Sequence, residues 1–393
     1  MDATAIGFAD IGPGAFPVLQ PAHACALLAG GRNPVRPALT DDNQEMADMA
    51  RMQAAVVERP GEGLRMMEVA RPEPGPGEVL IRVAACGVCH SDLHIVDGDW
   101  GTPPKLPLIP GHEVTGHVAA LGAGVSGIAI GDAVGVPWMA HACGRCAWCL
   151  AGMETICEAG GATGFSRDGG YAEYMLAEAA FVARLPADAD LVAIAPILCA
   201  GVTTWRGLKR SEARAGEHVA IVGAGGLGHV AIQYARAMGL RPVAVDVSPA
   251  RLDHALTLGA EAVIDAGAGD PVAAVQAATG GGAHAAIVTA TAPAAFEQAI
   301  AMTRPGGTTV FIGLPGGERD TIRVSIARIS NWERSIRGSN VGTRRDLQEA
   351  VDFALRGHVR AEVTPLPFAW IDEALARLRR GEVTGRLVLT MGG

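Results

Sequence analysis

No apolar run in this chain of 393 residues approaches the roughly eighteen needed to cross a bilayer. Its first residues also lack the charged stretch, apolar stretch and small-residue cleavage site of an export signal. A chain that neither spans a membrane nor leaves the cytoplasm is expected. There is no run of Lys or Arg either, and the formal net charge is −9. Nucleic acid and anionic membranes both require clustered positive charge, so neither is expected as a partner and a small molecule is. No internal repeat is present. What the sequence does have is 49% hydrophobic against 19% charged residues, the balance of a globular enzyme with two or three domains, each large enough for its own core. Eight cysteines in a chain this long are not the disulfide framework of a small secreted domain. Their close spacing reads better as metal binding in a reducing compartment.

Residues 1–51 are rich in Ala, Gly and Pro, lack sustained periodicity and include the polar run Thr40-Asp41-Asp42-Asn43-Gln44-Glu45. They read as a loosely ordered extension. From Met52 short β-rich runs follow, such as Gln53-Ala54-Ala55-Val56-Val57 and Glu78-Val79-Leu80-Ile81-Arg82-Val83, separated by turns like Pro72-Glu73-Pro74-Gly75-Pro76-Gly77. A β-rich domain over 52–200 is expected. From about Gly201 apolar strands at 218–222, 243–247, 262–265, 285–288 and 308–312 alternate with helical stretches, the pattern of an α/β, doubly wound parallel sheet over 201–340. An amphipathic segment at 345–355 and a last strand at 385–389 are expected to return residues 341–393 to the first domain.

The run His218-Val219-Ala220-Ile221-Val222 leads straight into Gly223-Ala224-Gly225-Gly226-Leu227-Gly228, after which Ala231, Tyr234, Ala235 and Met238 recur at helical spacing. A strand feeding a glycine turn that opens a helix is the dinucleotide-binding arrangement, because a pyrophosphate must come close to amides at the helix N-terminus. On its own the turn would be compatible with simple helix-on-sheet packing. Asp246, about twenty residues on at the end of the next strand, adds an acceptor for a ribose 2′-hydroxyl. The same acid would repel a 2′-phosphate, so NAD is favoured over NADP.

Cys143, Cys146, Cys149 and Cys157 lie on one short turn-rich loop. Four thiolates there can close a tetrahedron around zinc with no open position, a structural site, with two local disulfides as the alternative. Cys89, His112 and Cys199 are dispersed. Singly each is most simply a small core residue or a locally bonded imidazole, but together they form a Cys₂His set, the ligand type of a zinc that keeps a position free for substrate oxygen. Asp92 and Glu113 sit beside these ligands as carboxylates able to orient His112 or tune the metal, or else as solvated surface charge.

At these residues the chain resembles the zinc alcohol dehydrogenases of the medium-chain dehydrogenase/reductase family, particularly the microbial tetrameric type. The likeness runs from Met52 to the C-terminus. It rests on Gly87-Val88-Cys89-His90-Ser91-Asp92-Leu93-His94, Gly98-Asp99-Trp100, Pro110-Gly111-His112-Glu113, the four-cysteine loop, Leu198-Cys199-Ala200-Gly201-Val202-Thr203 and the glycine turn. The resemblance implies a GroES-like catalytic domain interrupted by a Rossmann domain, two zinc ions per subunit and a homotetramer. It makes Cys89, His112 and Cys199 the catalytic zinc ligands and Ser91 and His94 the protein members of a proton relay. His90 and Arg386 then contact cofactor phosphates, Thr203 packs against the nicotinamide, and Arg251 joins the cofactor-binding candidates. Trp100 and Trp138 line the substrate pocket by the same analogy, with plain core packing as the alternative. Cys86 and Cys25 match no ligand position.

A small primary alcohol is the implied substrate, its proton leaving through Ser91, the cofactor ribose and His94 while the nicotinamide takes the hydride. Polyol dehydrogenases commonly place Glu where Cys199 stands, and quinone-reductase relatives lack the zinc ligands, so both fit less well. The extension before Met52 has no counterpart in compact family members, and it is either a real tail or upstream of a start at Met49 or Met52. Ser91 replaces the threonine commoner in the microbial branch, but a hydroxyl is all a relay requires.

Overall fold

The computed structural model describes residues 50–317 and 320–392; residues 1–49, with Cys25 and nearly all of the expected extension, lie outside them. Strand β1 (Arg51–Val56) pairs antiparallel with β2 (Arg65–Ala70), so Arg51, assigned to the extension by its sequence, already lies opposite Ala70. Strand β3 (Glu78–Val88) is the spine of a seven-stranded sheet, and of its eleven residues only Arg82 is exposed. It pairs antiparallel with β4 (Glu113–Leu121), which pairs with β5 (Ala133–Val136). The hairpin of β6 (Met139–His141) and β7 (Gly161–Ala162) stands apart, β8 (Tyr174–Glu178) adds to β3, and β9 (Ala183–Arg184) adds to β5.

Six parallel strands make the second large sheet: β10 (His218–Val222), β11 (Arg241–Asp246), β12 (Ala262–Asp265), β13 (Ala283–Val288), β14 (Thr303–Phe311) and β15 (Ser335–Gly338). Their order, β12-β11-β10-β13-β14-β15, is that of a doubly wound sheet. Helices on both faces explain why β10 is buried throughout: Val219 and Ile221 pack into one core, and Ala220 and Val222 into the core on the opposite face. The order reverses between β10 and β13, which opens a crevice at the carboxyl ends of those strands.

The chain then returns. Strand β16 (Val363–Pro367) tolerates two prolines because it lies at the sheet edge, and it runs parallel to β17 (Arg386–Thr390). Strand β17 pairs antiparallel with β3, placing Leu387 opposite Val88 and Leu389 opposite Cys86. The six-stranded sheet is therefore inserted within the seven-stranded one in sequence. Among the described residues no single helix is long and apolar enough to cross a membrane.

The helix Ala200–Ser211 follows Cys199 and packs against the helix Arg344–Leu355, with the Trp205 and Phe353 rings tilted against each other at 4.6 Å between centroids. Asp346, in the first turn of the second helix, accepts Arg206 Nη1 at 2.6 Å, Lys209 Nζ at 2.8 Å and both the amide and hydroxyl of Thr343. Burial alone would raise its carboxyl, but the bonds from Lys209, Thr343 and Arg206 outweigh that and hold it at about 2, below its ordinary 3.8. A depressed carboxyl contributes stability above the unfolded value and loses it as pH falls through the folded one. Asp346→Asn should therefore lower the melting temperature by several degrees at neutral pH, and the gap between variant and wild type should close as pH falls from about 4 to about 2; thermal melts at several pH values measure both.

Candidate active site and metal centres

Two of the dispersed candidates cap helices and the third sits just before a strand. Cys89 is the N-cap of the helix His90–Asp97, with extended backbone and Asp92 at the third helical position accepting its N–H at 2.9 Å. Cys199 is the N-cap of the helix Ala200–Ser211, and His112 immediately precedes β4. One ligand atom from each of Cys89, His112, Glu113 and Cys199 lies within 4.8 Å of the others, and all four residues are buried. His112 Nδ1 lies 3.0 Å from Asp92 Oδ1. A carboxylate only accepts, so Nδ1 carries the proton and Nε2 presents its lone pair. That Nε2 is buried and has no hydrogen-bond partner. A buried imidazole nitrogen without a hydrogen-bond partner, grouped with two thiols, is the chemistry of a zinc site.

The two adjacent carboxylates divide their tasks. Asp92 orients His112, whereas Glu113 turns toward Arg386, whose Nη2 donates to Oε1. Of the two carboxylates the sequence offered for orienting His112, Asp92 is the one bonded to its Nδ1, while Glu113, though it reaches the same cluster, is held by Arg386. Gly87 makes room for the pair, since a Cβ there would stand 1.9 Å from Glu113 Oε2. Burial pushes the Glu113 carboxyl up to about 8 against the pull of Arg386. Cys89 is held well below the usual thiol range, first by a hydrogen bond from Cys199, with His112 and Arg386 also favouring the thiolate. Burial would lower His112, but the Asp92 carboxylate overrides it and raises the imidazole well above its ordinary value. Burial, with Asp92 beside it, pushes the Tyr171 phenol well above its usual range, so its O–H remains a donor.

Around this centre the sequence candidates fall into place unevenly. Ser91 Oγ lies 3.8 Å from Cys89 Sγ. His94, one turn on, holds Nδ1 at 2.8 Å from Asp99 Oδ1 and stacks on Trp100 at 5.7 Å. Trp138 stands edge-on to His112 at 4.9 Å and to Trp100 at 5.9 Å, so Trp138 lies against a candidate ligand and Trp100 lies behind it. Phe165 closes the aromatic group, 5.8 Å from Trp100 and 6.1 Å from Trp138. Neither Phe165 nor Asp99 was singled out as a site residue by the sequence; Asp99 lies within the Gly98-Asp99-Trp100 motif, but nothing in the sequence around Phe165 marks it. Gly316, beyond β14, comes so close that a Cβ would lie 2.6 Å from His94 Cε1.

The four-cysteine loop forms the second centre. Cys143, Cys146, Cys149 and Cys157 bring their sulfurs within 4.8 Å of one another, and all remain free thiols rather than disulfides. Backbone amides point at the sulfurs: Cys143 N–H at Cys157 Sγ (3.3 Å) and Cys146 N–H at Cys143 Sγ (3.3 Å). Amides of Arg145 and Cys146 bring the Cys143 thiol down to about 6, so a thiolate is accessible at neutral pH. Four soft ligands with no open position fit a structural zinc. Glu154, beside the loop, is bound by the Arg344 guanidinium and amide, tying the lobe to the helix Arg344–Leu355.

At the dinucleotide turn Gly223 has φ +100°, and a Cβ on Gly228 would meet Gly223 O at 1.9 Å, so both positions exclude a side chain. Leu227 caps the helix Gly228–Ala237, whose first amides face the turn. Asp246 ends β11 and accepts amides from Ala224 (2.7 Å), Val247 (2.8 Å) and Ser248 (2.9 Å). Arg251 Nη1 stands 3.8 Å from Asp246 Oδ1 and its guanidinium lies alongside Gly225; Arg386 lies against Gly226. Thr203, one turn after Cys199, buries a hydroxyl with no partner, while His90 is exposed at the start of its helix. Cys86 is buried in the core beneath Gly111 and joins neither centre.

Comparison with known proteins agrees with this geometry. Residues 226–356 match the zinc-binding dehydrogenase family, and residues 75–187 match the alcohol dehydrogenase GroES-like domain. An alcohol dehydrogenase of Geobacillus stearothermophilus is 49% identical over 345 residues, covering 86% of this chain and 99% of the relative. One from Moraxella sp. (strain TAE123) is 47% identical over 338 residues, with the same coverage of both chains. The crystal structure of the alcohol dehydrogenase from the hyperthermophilic archaeon Aeropyrum pernix superposes with a TM-score of 0.79 at 38% identity, covering 86% of this chain and 99% of that one. With both domain types matched and the ligand sets in place, this chain belongs to the zinc-dependent alcohol dehydrogenases of the medium-chain dehydrogenase/reductase family.

Proposed function

We propose that the protein catalyses the reversible oxidation of short primary alcohols to aldehydes with NAD, using a catalytic zinc on Cys89, His112 and Cys199 and a structural zinc on Cys143, Cys146, Cys149 and Cys157. The observation that carries this reading is the convergence of two thiols on a buried imidazole nitrogen that has no other partner. The name alcohol dehydrogenase, borne by relatives that this chain covers almost completely, supports the reaction class.

When bound, zinc supplies Lewis acidity to the alcohol oxygen and NAD supplies the hydride acceptor. The rest is done by the chain. Ser91, beside Cys89, takes the alcohol proton, and His94 passes one to solvent. With Nδ1 engaged by Asp99, His94 keeps Nε2 as the basic nitrogen. Trp100, Trp138 and Phe165 narrow the space over His112, which favours a small carbinol over a bulky one. Asp246 supports NAD, because its negative charge suits a ribose hydroxyl and opposes a phosphate, although Arg251 offsets part of that charge. Residues 52–200 with 341–393 form the catalytic part and 201–340 the cofactor part. Association of copies, with a homotetramer as the family-based reading, is supported by the edge of β15, unpaired among the described residues, beside which Ile326, Trp332 and Ile336 are exposed.

Three measurements test the reading. Metal analysis of the purified protein should give two zinc ions per subunit; Cys143→Ser should remove one and lower the melting temperature by several degrees while the other stays. The wild type should oxidise ethanol with NAD in preference to NADP, and Trp100→Ala should raise kcat/KM for hexanol relative to ethanol by about tenfold or more; an unchanged chain-length profile removes Trp100 from the pocket. His94→Ala should slow oxidation about a hundredfold near pH 6 and far less near pH 9, and a pH–rate profile matching wild type would take His94 out of the relay.

A further inference from the structure

Asp92 is a fully buried carboxylate that receives four donors. Oδ1 accepts the Gly111 amide at 3.2 Å and His112 Nδ1 at 3.0 Å. Oδ2 accepts the Cys89 amide at 2.9 Å and the hydroxyl of Tyr171 at 2.9 Å. Three of these donors belong to the two segments that carry Cys89 and His112. The fourth comes from a residue 79 positions away from Asp92, on a turn that otherwise contributes nothing to the centre.

That turn is fastened to the same segment from several sides. Tyr171 N–H donates to Pro110 O at 3.0 Å, Gly170 N–H donates to Gly111 O at 2.9 Å, and Ala55 in β1 donates to Tyr171 O at 2.8 Å. Gly111 has φ +96°, and a Cβ there would lie 2.6 Å from the Tyr171 ring. The ring therefore seats the backbone just before His112, while its hydroxyl reaches past to the carboxylate. A carboxylate turns about one soft terminal torsion. Without the phenol, Oδ2 is held by the Cys89 amide alone, and the plane that aims Oδ1 at His112 loses one of its two anchors on that side.

We infer that Tyr171 is a positioning residue for the catalytic metal: its hydroxyl fixes the Asp92 carboxylate so that Cys89 and His112, from separate segments, present their ligand atoms to one point. This rests on the functional reading above, that Cys89, His112 and Cys199 hold zinc. Outer partners of metal ligands typically change metal affinity by about 10–100-fold when removed. Tyr171 acts one step further out, so the lower end of that range is expected.

The test is Tyr171→Phe, which keeps the ring against Gly111 and removes one oxygen. Zinc release from the intact protein to a colorimetric chelator is followed alongside wild type, with the four-cysteine zinc as an internal control. The expected result is about tenfold faster release of one zinc per subunit, an unchanged rate for the other, and altered visible bands when cobalt replaces the catalytic zinc. In an Asp92→Asn background the same substitution should have little further effect, because the hydroxyl acts through that carboxylate. Release within twofold of wild type overturns the inference, as does equal acceleration at both centres, which would mark general loosening of the fold. A full effect persisting in the Asp92→Asn background overturns it too. A wild type that holds only the four-cysteine zinc removes the functional reading itself, and this inference with it.

Discussion

Charge balance in a buried interior governs how this site is built. Cys89, Cys199, Asp92 and Glu113 are all buried within one small volume, and each carries or can carry negative charge. Leaving such charges uncompensated would cost several kcal/mol apiece. Arg386, itself buried, is the protein's own answer, paired with Glu113 and close enough to favour the Cys89 thiolate. The catalytic zinc proposed between the sulfurs would be the other half. The site is thus stable as a unit and unfavourable in parts, which explains why its ligands lie on caps and strand ends with fixed backbones rather than on free loops.

Arg386 also joins the two halves of the chemistry. Its guanidinium lies against Gly226 of the dinucleotide turn while its other end engages Glu113, next to His112. One side chain therefore reaches from the glycine turn to the cluster of Cys89, His112 and Cys199. His94 and Gly316 form a comparable meeting on the other side of the cleft, where the absence of a side chain lets the segment after β14 reach the imidazole. Such contacts keep the reacting groups of the two sheets in register.

Much of this was legible in the sequence, for physical reasons that can be named. Strands such as β10 and β11 are buried on both faces and show as continuous apolar runs, and the glycine turn between β10 and its helix has a steric requirement that leaves a fixed spacing. The four-cysteine loop is local, so its chemistry is visible in sixteen consecutive residues, Cys143 to Cys157 with one flanking position. Less legible were β2, β15 and β16, which carry exposed, charged or proline residues because they lie at or near sheet edges. Hidden altogether were partnerships that only the fold creates: Phe165 beside the tryptophans and Tyr171 on Asp92. Such residues have no local pattern, since a hydroxyl or a ring acquires its role from what is packed against it. Glu113 illustrates the same limit. Its place beside His112 suggested that it orients the imidazole, whereas in the fold its carboxylate joins the same cluster but is bonded by Arg386, from the other end of the chain.

The pairing of β17 with β3 has an entropic side. Arg386 and Glu113 are separated by 273 positions, and bringing the ends of so long an unstructured loop together costs about 5 kcal/mol of chain entropy by the (3/2)RT ln n rule. The six-stranded sheet lies inside that loop and is built from short strand-to-strand crossovers that can close on their own. Once it has folded, its two ends emerge near one another and the effective loop becomes far shorter. The six-stranded sheet is thus an internal clasp in the chain: its own closure shortens the loop that the pairing of β17 with β3 must close.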